Sequence, residues 1–246
     1  MTLIITEISE YGIAMVADRA LTETFRFRSG REYAKTLDGV HKLQPIPSLE
    51  AGISMWGRAT FPTSGGEAPL DLWLRDFIHD NSSLTSLDDF AEKLTNELKL
   101  SLGGTRDLMG FHIAGYVDSQ GRKMPTVYHV RNNDGPYGQL RIHDFVKGHD
   151  FPPRDIRSGE TFELRNGDFG PYALLSETIK RVGPTLQQVS GLAIPYPSLE
   201  GRLSYQAAWI RFISDIYDSS RALRTIGTSV IRLGIAPDGR IKAYQL

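Results

Sequence analysis

Apolar and polar positions alternate over the first residues and then pause. Leu3-Ile4-Ile5-Thr6-Glu7-Ile8 is β-branched and partly alternating, Glu10-Tyr11-Gly12 has turn chemistry, and Ile13-Ala14-Met15-Val16-Ala17 resumes the pattern. A hairpin beginning at residue 2 is predicted. After a polar, aromatic segment, Thr22–Asp38, two short strands are expected at Gly39–Leu43 and Leu49–Trp56, kept apart by Gln44-Pro45-Ile46-Pro47, whose prolines cannot donate to a ladder. The period then becomes helical. Leu70, Trp73, Leu74, Phe77 and Ile78 fall on one face, and Phe90, Leu94 and Leu98 mark a second helix started by Ser86-Leu87-Asp88-Asp89. Strands return at Met109–Val117, Pro125–Arg131 and Leu140–Val146, followed by helices at about Pro171–Arg181 and Ser204–Arg221. A last hairpin spans Thr228–Ile235 and Arg240–Gln245 around Pro237-Asp238-Gly239. This order fits helices on the outer faces of two stacked antiparallel sheets.

Length and charge narrow the function classes. The 246 residues are expected to form one domain, 1–246, because single cores stop growing only near ~250–300 residues. A net charge of −1 supplies no cationic field for nucleic acid or anionic lipid. The absence of cysteine removes disulfides, thiolate metal sites and a cysteine nucleophile, so a covalent mechanism cannot use a thiol. The N-terminus carries Glu7 and Glu10 and no cationic run, and no apolar stretch approaches the ~20 residues that span a bilayer. A cytoplasmic protein with no membrane or nucleic-acid partner is expected.

Thr2 carries the candidate chemistry. Removal of Met1 would leave an α-amine on the residue that bears the hydroxyl, and an amine of ordinary pKa ~7.7–8.0 can accept the hydroxyl proton during attack on a carbonyl. A hairpin brings Thr2 and Asp18 to the same edge, Lys42 lies in the adjoining strand, and the small-residue run Ala51–Ala59 follows. A lysine between Thr2 and Asp18 would ease alkoxide formation, and backbone N–H groups of the run could accept an oxyanion.

At these residues the chain resembles the proteasome β-type peptidases and bacterial proteasome-like subunits of the N-terminal-nucleophile hydrolases. The similar segments are Thr2–Ile5, Gly12–Arg19, His41-Lys42-Leu43 and Gly52–Ala59, with looser likeness at Ile113–Asp118 and Gly170–Ala173. The resemblance implies a four-layer αββα sandwich of two antiparallel sheets flanked by helices. It also implies Thr2 as nucleophile, Asp18 and Lys42 as its supporting pair, and the Ser54 N–H as oxyanion donor, counting back from Gly57. Anchoring on Ala51-Gly52 would make the donor Gly52. Lys35, 33 positions from Thr2, is the alternative to Lys42, which is preferred because it opens a strand directly before the small-residue run. Arg19 is implied as a supporting residue, with Asp168 and Thr225 standing where the family places serines.

The sequence departs from the family at Asn166–Gly170 and Ser220–Gly227, where no acid follows Arg221. An extra carboxylate near the amine would favour its protonated form. His41, His79, His112, His129, His143 and His149 show no zinc-hydrolase spacing; His112 and His129 alternate with apolar neighbours and read as hydrogen-bonded structural residues. No metal or cofactor is expected. The expected function is a self-compartmentalising threonine peptidase acting on peptides or proteins. Its implied partners are identical subunits in a ring or double ring and an accessory ATPase unfoldase. The alternatives are a ring of the same ancestry that does not hydrolyse peptides and a small-molecule amidohydrolase.

Overall fold

Gly12 closes the first hairpin. Its φ is +128°, and a Cβ there would fall 2.3 Å from the Ile235 carbonyl oxygen, so only glycine fits the turn. The computed structural model describes residues 2–26, 32–133, 142–167, 170–190, 197–220 and 226–245. Along the chain these form β1 (Leu3–Ser9), β2 (Gly12–Asp18), β3 (Ala20–Arg26), β4 (Glu32–Asp38), β5 (Leu43–Ile46), a 3-10 turn at Pro47–Leu49 and β6 (Ala51–Trp56). There follow β7 (Thr60–Thr63), β8 (Gly66–Pro69), α1 (Leu70–Asp80), α2 (Leu87–Leu102), β9 (Gly110–Ser119), β10 (Arg122–Asn133) and β11 (Ile142–Phe151). The chain continues through β12 (Thr161–Gly167), α3 (Gly170–Ser190), α4 (Leu199–Ser220), β13 (Val230–Ile235) and β14 (Ile241–Gln245).

One five-stranded antiparallel sheet has the order β12-β1-β2-β13-β14 and a second the order β11-β10-β9-β6-β5, while β3-β4 and β7-β8 are separate two-stranded ribbons. The expected four-layer αββα sandwich of two antiparallel sheets is therefore corrected, because the described residues form four sheets. The extra two arise where the polar segment 20–38 and the stretch 60–69 fold back on themselves, satisfying their backbone groups within a ribbon rather than in a loop. Other assignments move as well. Pro45 lies within β5, which tolerates it because β5 is an edge strand. Residues 47–49 form a 3-10 turn instead of opening the next strand. Finally, β12 occupies a segment with no predicted element, placing Phe162 and Leu164 against the interior as the edge partner of β1.

Three apolar clusters hold these elements. Ile4, Ile8, Ile13, Met15, Ile231 and Leu233 of the first sheet pack with Leu43, Trp56, Ala114 and Val127 of the second. The other face of the second sheet, through Ile53, Phe111 and Val130, packs on Leu74, Phe77, Phe90 and Leu94 of α1 and α2. Leu3, Ile5, Ala14 and Val16 pack on Tyr172, Leu203, Ile210 and Ile213 of α3 and α4. Every residue of β1 is buried, with neighbours on both faces. Ser86 caps α2 as its sequence predicts, its hydroxyl accepting from the Asp89 N–H at 3.3 Å. Among the described residues, no helix is long and apolar enough to cross a membrane.

Candidate active site

The register of the first hairpin, Ile4 opposite Ala17, puts Thr2 and Asp18 together at one edge of the sheet. The Thr2 hydroxyl donates to Asp18 Oδ1 at 2.5 Å, and the Leu3 N–H donates to the same oxygen at 2.8 Å. Asp18 Oδ2 accepts from Lys42 Nζ at 3.0 Å, from the Ala20 N–H at 3.0 Å and from the Gly227 N–H at 3.2 Å. Lys42 Nζ also donates to Thr2 Oγ1. Asp18 is 0% exposed, Thr2 3% and Lys42 5%. Within that enclosure burial pushes the Lys42 ammonium below its ordinary range, and the Asp18 carboxylate opposes the shift. The lysine is thus poised to exchange a proton with the hydroxyl it touches.

Lys42 reaches this position because the chain leading into β5 is held from two sides. The Arg19 carbonyl accepts from both the Gly39 and Val40 N–H groups at 3.1 Å, and the Lys42 carbonyl accepts from the Met55 N–H at 2.9 Å. Asp71, in the first turn of α1, accepts from the His41 N–H at 3.0 Å. The Arg19 side chain donates to the Gly39 carbonyl at 3.2 Å, so Arg19 shapes the path to Lys42 through both its side chain and its carbonyl. Lys35 lies on β4, paired in register with Glu23, and the lysine found at Thr2 is Lys42. Asp168 and Thr225 lie outside the described residues.

A cavity of about 400 Å³ opens beside this group, lined by Thr2 and Lys42, by apolar Leu21, Val40 and Leu108, and by the turn Met55–Ala59. Ser54 and Gly52 do not line it. Ser54 is fully buried between Leu43 of β5 and His112 of β9, and Gly52 faces Met15 of the opposite sheet. Along this run the cavity lining begins at Met55, one residue after Ser54, and the Met55 N–H is already taken by the Lys42 carbonyl. Gly57 is required where it stands: its φ is +94°, and a Cβ would fall 2.0 Å from the Leu108 carbonyl oxygen. Gly57→Ala is expected to destabilise the chain by about 2 kcal/mol or more. The check is the midpoint of a denaturant titration, and an unchanged midpoint would show that the turn relaxes freely.

With this geometry in place, the chain can be set beside known proteins. No protein-family model matches it, and no curated protein matches it. Among solved structures it is similar to an Anbu (Gly-1) mutant from Hyphomicrobium sp. strain MC1, with a TM-score of 0.54 and 11% identity over 100% of this chain and 86% of that one. The two share a fold. A second similar structure, Anbu (ancestral beta-subunit) from Yersinia bercovieri, has a TM-score of 0.47 and 11% identity over 99% of this chain and 85% of that one. The first of these comparisons corrects the expected family: the structure that shares the fold is that of an Anbu protein, not a proteasome β-type peptidase, and at 11% identity the link is one of fold.

Several contributors to the site were not foreseen from sequence. The Leu3, Ala20 and Gly227 N–H groups that bind Asp18 are backbone donors, which leave no signature in residue type. Gly167 also contributes, since its φ is +95° and a Cβ there would fall 1.8 Å from the Thr2 carbonyl oxygen; the glycine itself was the one readable clue to a tight position. Arg58, held by Asp107 at 2.8 Å and by Glu67 at 2.9 Å, stands at the cavity as a paired cation.

Proposed function

We propose that this chain is a threonine-type N-terminal-nucleophile hydrolase of amide bonds, working in the cytoplasm as one of several identical subunits of a proteasome-like ring. The observation that carries the reading is the buried contact of Thr2 Oγ1 with both Asp18 and Lys42 at the wall of an open cavity. Removal of Met1 frees the Thr2 α-amine. Thr2 Oγ1 then bonds to the amide carbon while its proton passes to the α-amine or to Lys42, whose burial favours the neutral form that can accept it. The carbonyl oxygen becomes an oxyanion beside the Gly57–Arg58 turn at the cavity wall, where a backbone N–H would stabilise it in place of that of Ser54. Collapse breaks the C–N bond, the held proton leaves on the amine, and an ester remains on Thr2. The α-amine then draws a proton from water, and the resulting attack releases the acid and restores Thr2. A chamber of identical subunits would admit peptides or unfolded proteins, and an ATPase unfoldase is the class of partner that would supply them.

The test is the intact mass of the protein from its natural host, followed by exposure to a broad peptide library. A mass lacking Met1 and cleavage of peptide amides are expected, with a rate that climbs as pH rises through a value below the ordinary lysine range. Retained Met1 would sink the reading. Thr2 labelled by an electrophile, with every peptide left intact, would replace it with a small-molecule amidohydrolase.

A further inference from the structure

The buried interface between the two five-stranded sheets contains one row of polar side chains. Ser54 on β6 lies opposite His112 on β9, and His112 lies opposite His129 on β10, all three exposed by 1% or less. His129 Nδ1 lies 3.2 Å from Asp150 Oδ2 on β11, and Arg131 Nη1 donates to the same carboxylate at 3.2 Å. From the middle of this row His112 reaches across to the other sheet. Its Nδ1 is 3.0 Å from Thr6 Oγ1 on β1, and its Nε2 is 2.7 Å from Asn166 Oδ1 on β12. An amide oxygen can only accept, so Nε2 carries the proton and Nδ1 accepts from the Thr6 hydroxyl. Burial first, and then the neighbouring His129, keeps the His112 ring neutral well below the usual imidazole range, so both bonds persist at neutral pH.

The location of this grip matters because of what β1 lacks. Strand register is ordinarily set by one apolar and one polar face, since a one-residue slip turns every side chain over. All seven residues of β1 are buried, with Ile4 and Ile8 in one cluster and Leu3 and Ile5 in another, so discrimination between registers falls to its polar anchors: Thr6 on one face, and on the other Glu7, which Gln206 and Arg202 hold. Thr6 is four residues along the same strand from Thr2, and Asn166 directly precedes Gly167, which pairs with Leu3 and packs on the Thr2 carbonyl. A slip of one residue would carry Thr2 roughly 3.3 Å along the strand and turn its hydroxyl away from Lys42.

We propose that His112 is a positioning residue for Thr2: by holding Thr6 and Asn166 at once, it fixes the register of β1 on β12 and so presents the Thr2 hydroxyl to Lys42. The consequence for catalysis rests on Thr2 being the nucleophile; the setting of the register does not. His129, lying edge-on to His112 with ring centroids 4.9 Å apart, and Asp150 behind it keep the ring turned toward β1 and β12.

Amide hydrogen exchange on the full chain tests the proposal without requiring activity. His112→Leu conserves apolar volume and removes both bonds, and protection of the β1 and β12 amides is expected to fall about tenfold or more while α2 is unchanged. His112→Gln keeps a donor for Asn166 and is expected to restore most of the loss. Should His112→Leu fail to fold, Thr6→Val removes one hydroxyl at constant shape and is expected to lower β1 protection about fivefold. Unchanged β1 protection in the folded variants, or a glutamine no better than leucine, would overturn the proposal. The labelling of Thr2 by an electrophile then separates the two readings. If wild type does not label but exchange responds as expected, the hydrolase reading fails alone; if wild type and His112→Leu label equally fast, the positioning role fails alone.

Discussion

Replacing Thr2 by alanine is expected to lower amide hydrolysis by about a thousandfold or more while the fold persists. Alanine removes the only atom in the group that can form the acyl ester, and it leaves the Asp18–Lys42 ion pair in place at 3.0 Å. The structural loss is two hydrogen bonds, one to Asp18 and one from Lys42, about 2 kcal/mol in all, because the Leu3, Ala20 and Gly227 N–H groups still hold the carboxylate. Thr2→Ser supplies the control, since it restores a hydroxyl to the same contacts and should recover much of the turnover. Rates on a cleaved peptide, with unfolding midpoints measured in parallel, check the pair. Undiminished turnover by the alanine variant would remove Thr2 from the mechanism.

Asp18→Asn is expected to produce the largest loss of stability, about 3–5 kcal/mol, because it strands the Lys42 ammonium where Lys42 is 5% exposed. The loss should depend on pH. With its counter-charge gone, Lys42 would titrate still lower in the folded state than in the unfolded chain, so between those two values the unfolded chain binds more protons. Stability of the variant therefore rises as pH rises through that window. Asp18→Asn combined with Lys42→Met removes the stranded charge and is expected to recover a large part of the deficit, and the interaction energy of this double-mutant cycle measures the coupling. Denaturant titrations at about pH 7 and pH 9 provide the readout. If the double variant were as unstable as the sum of the single ones, Asp18 would be acting through its backbone hydrogen bonds rather than through Lys42.

The grouping of Thr2, Asp18 and Lys42 was legible because each step depends on local chemistry. Alternation marked the strands, glycine at the Gly12 turn fixed the hairpin, and hairpin geometry then forced the two ends together. The ribbons were not legible for the opposite reason. Thr22, Glu23 and Thr24 pair with Thr36, Lys35 and Ala34, and the two apolar pairs, Leu21 with Leu37 and Phe25 with Tyr33, are separated by Glu23 and Lys35, so no continuous apolar stripe announces the strands. Counting back from Gly57 to Ser54 likewise took no account of how β5 and β6 pair. Leu43 stands opposite Ser54, and this turns the Ser54 side chain into the interior. His112 and His129 were recognisable as bonded structural histidines, but which strands they joined depended on β12, whose existence the sequence pattern did not reveal.

The Gly227 N–H that donates to Asp18 Oδ2 lies 209 residues further along the chain. During synthesis Thr2, Asp18 and Lys42 leave the ribosome early, yet the carboxylate between them gains its full set of donors only after residue 227 has emerged and folded back beside β2. The order of translation therefore places a delay between making the reactive residues and completing their environment. A nascent chain stalled before that point would carry the whole triad in sequence and an unfinished site in space.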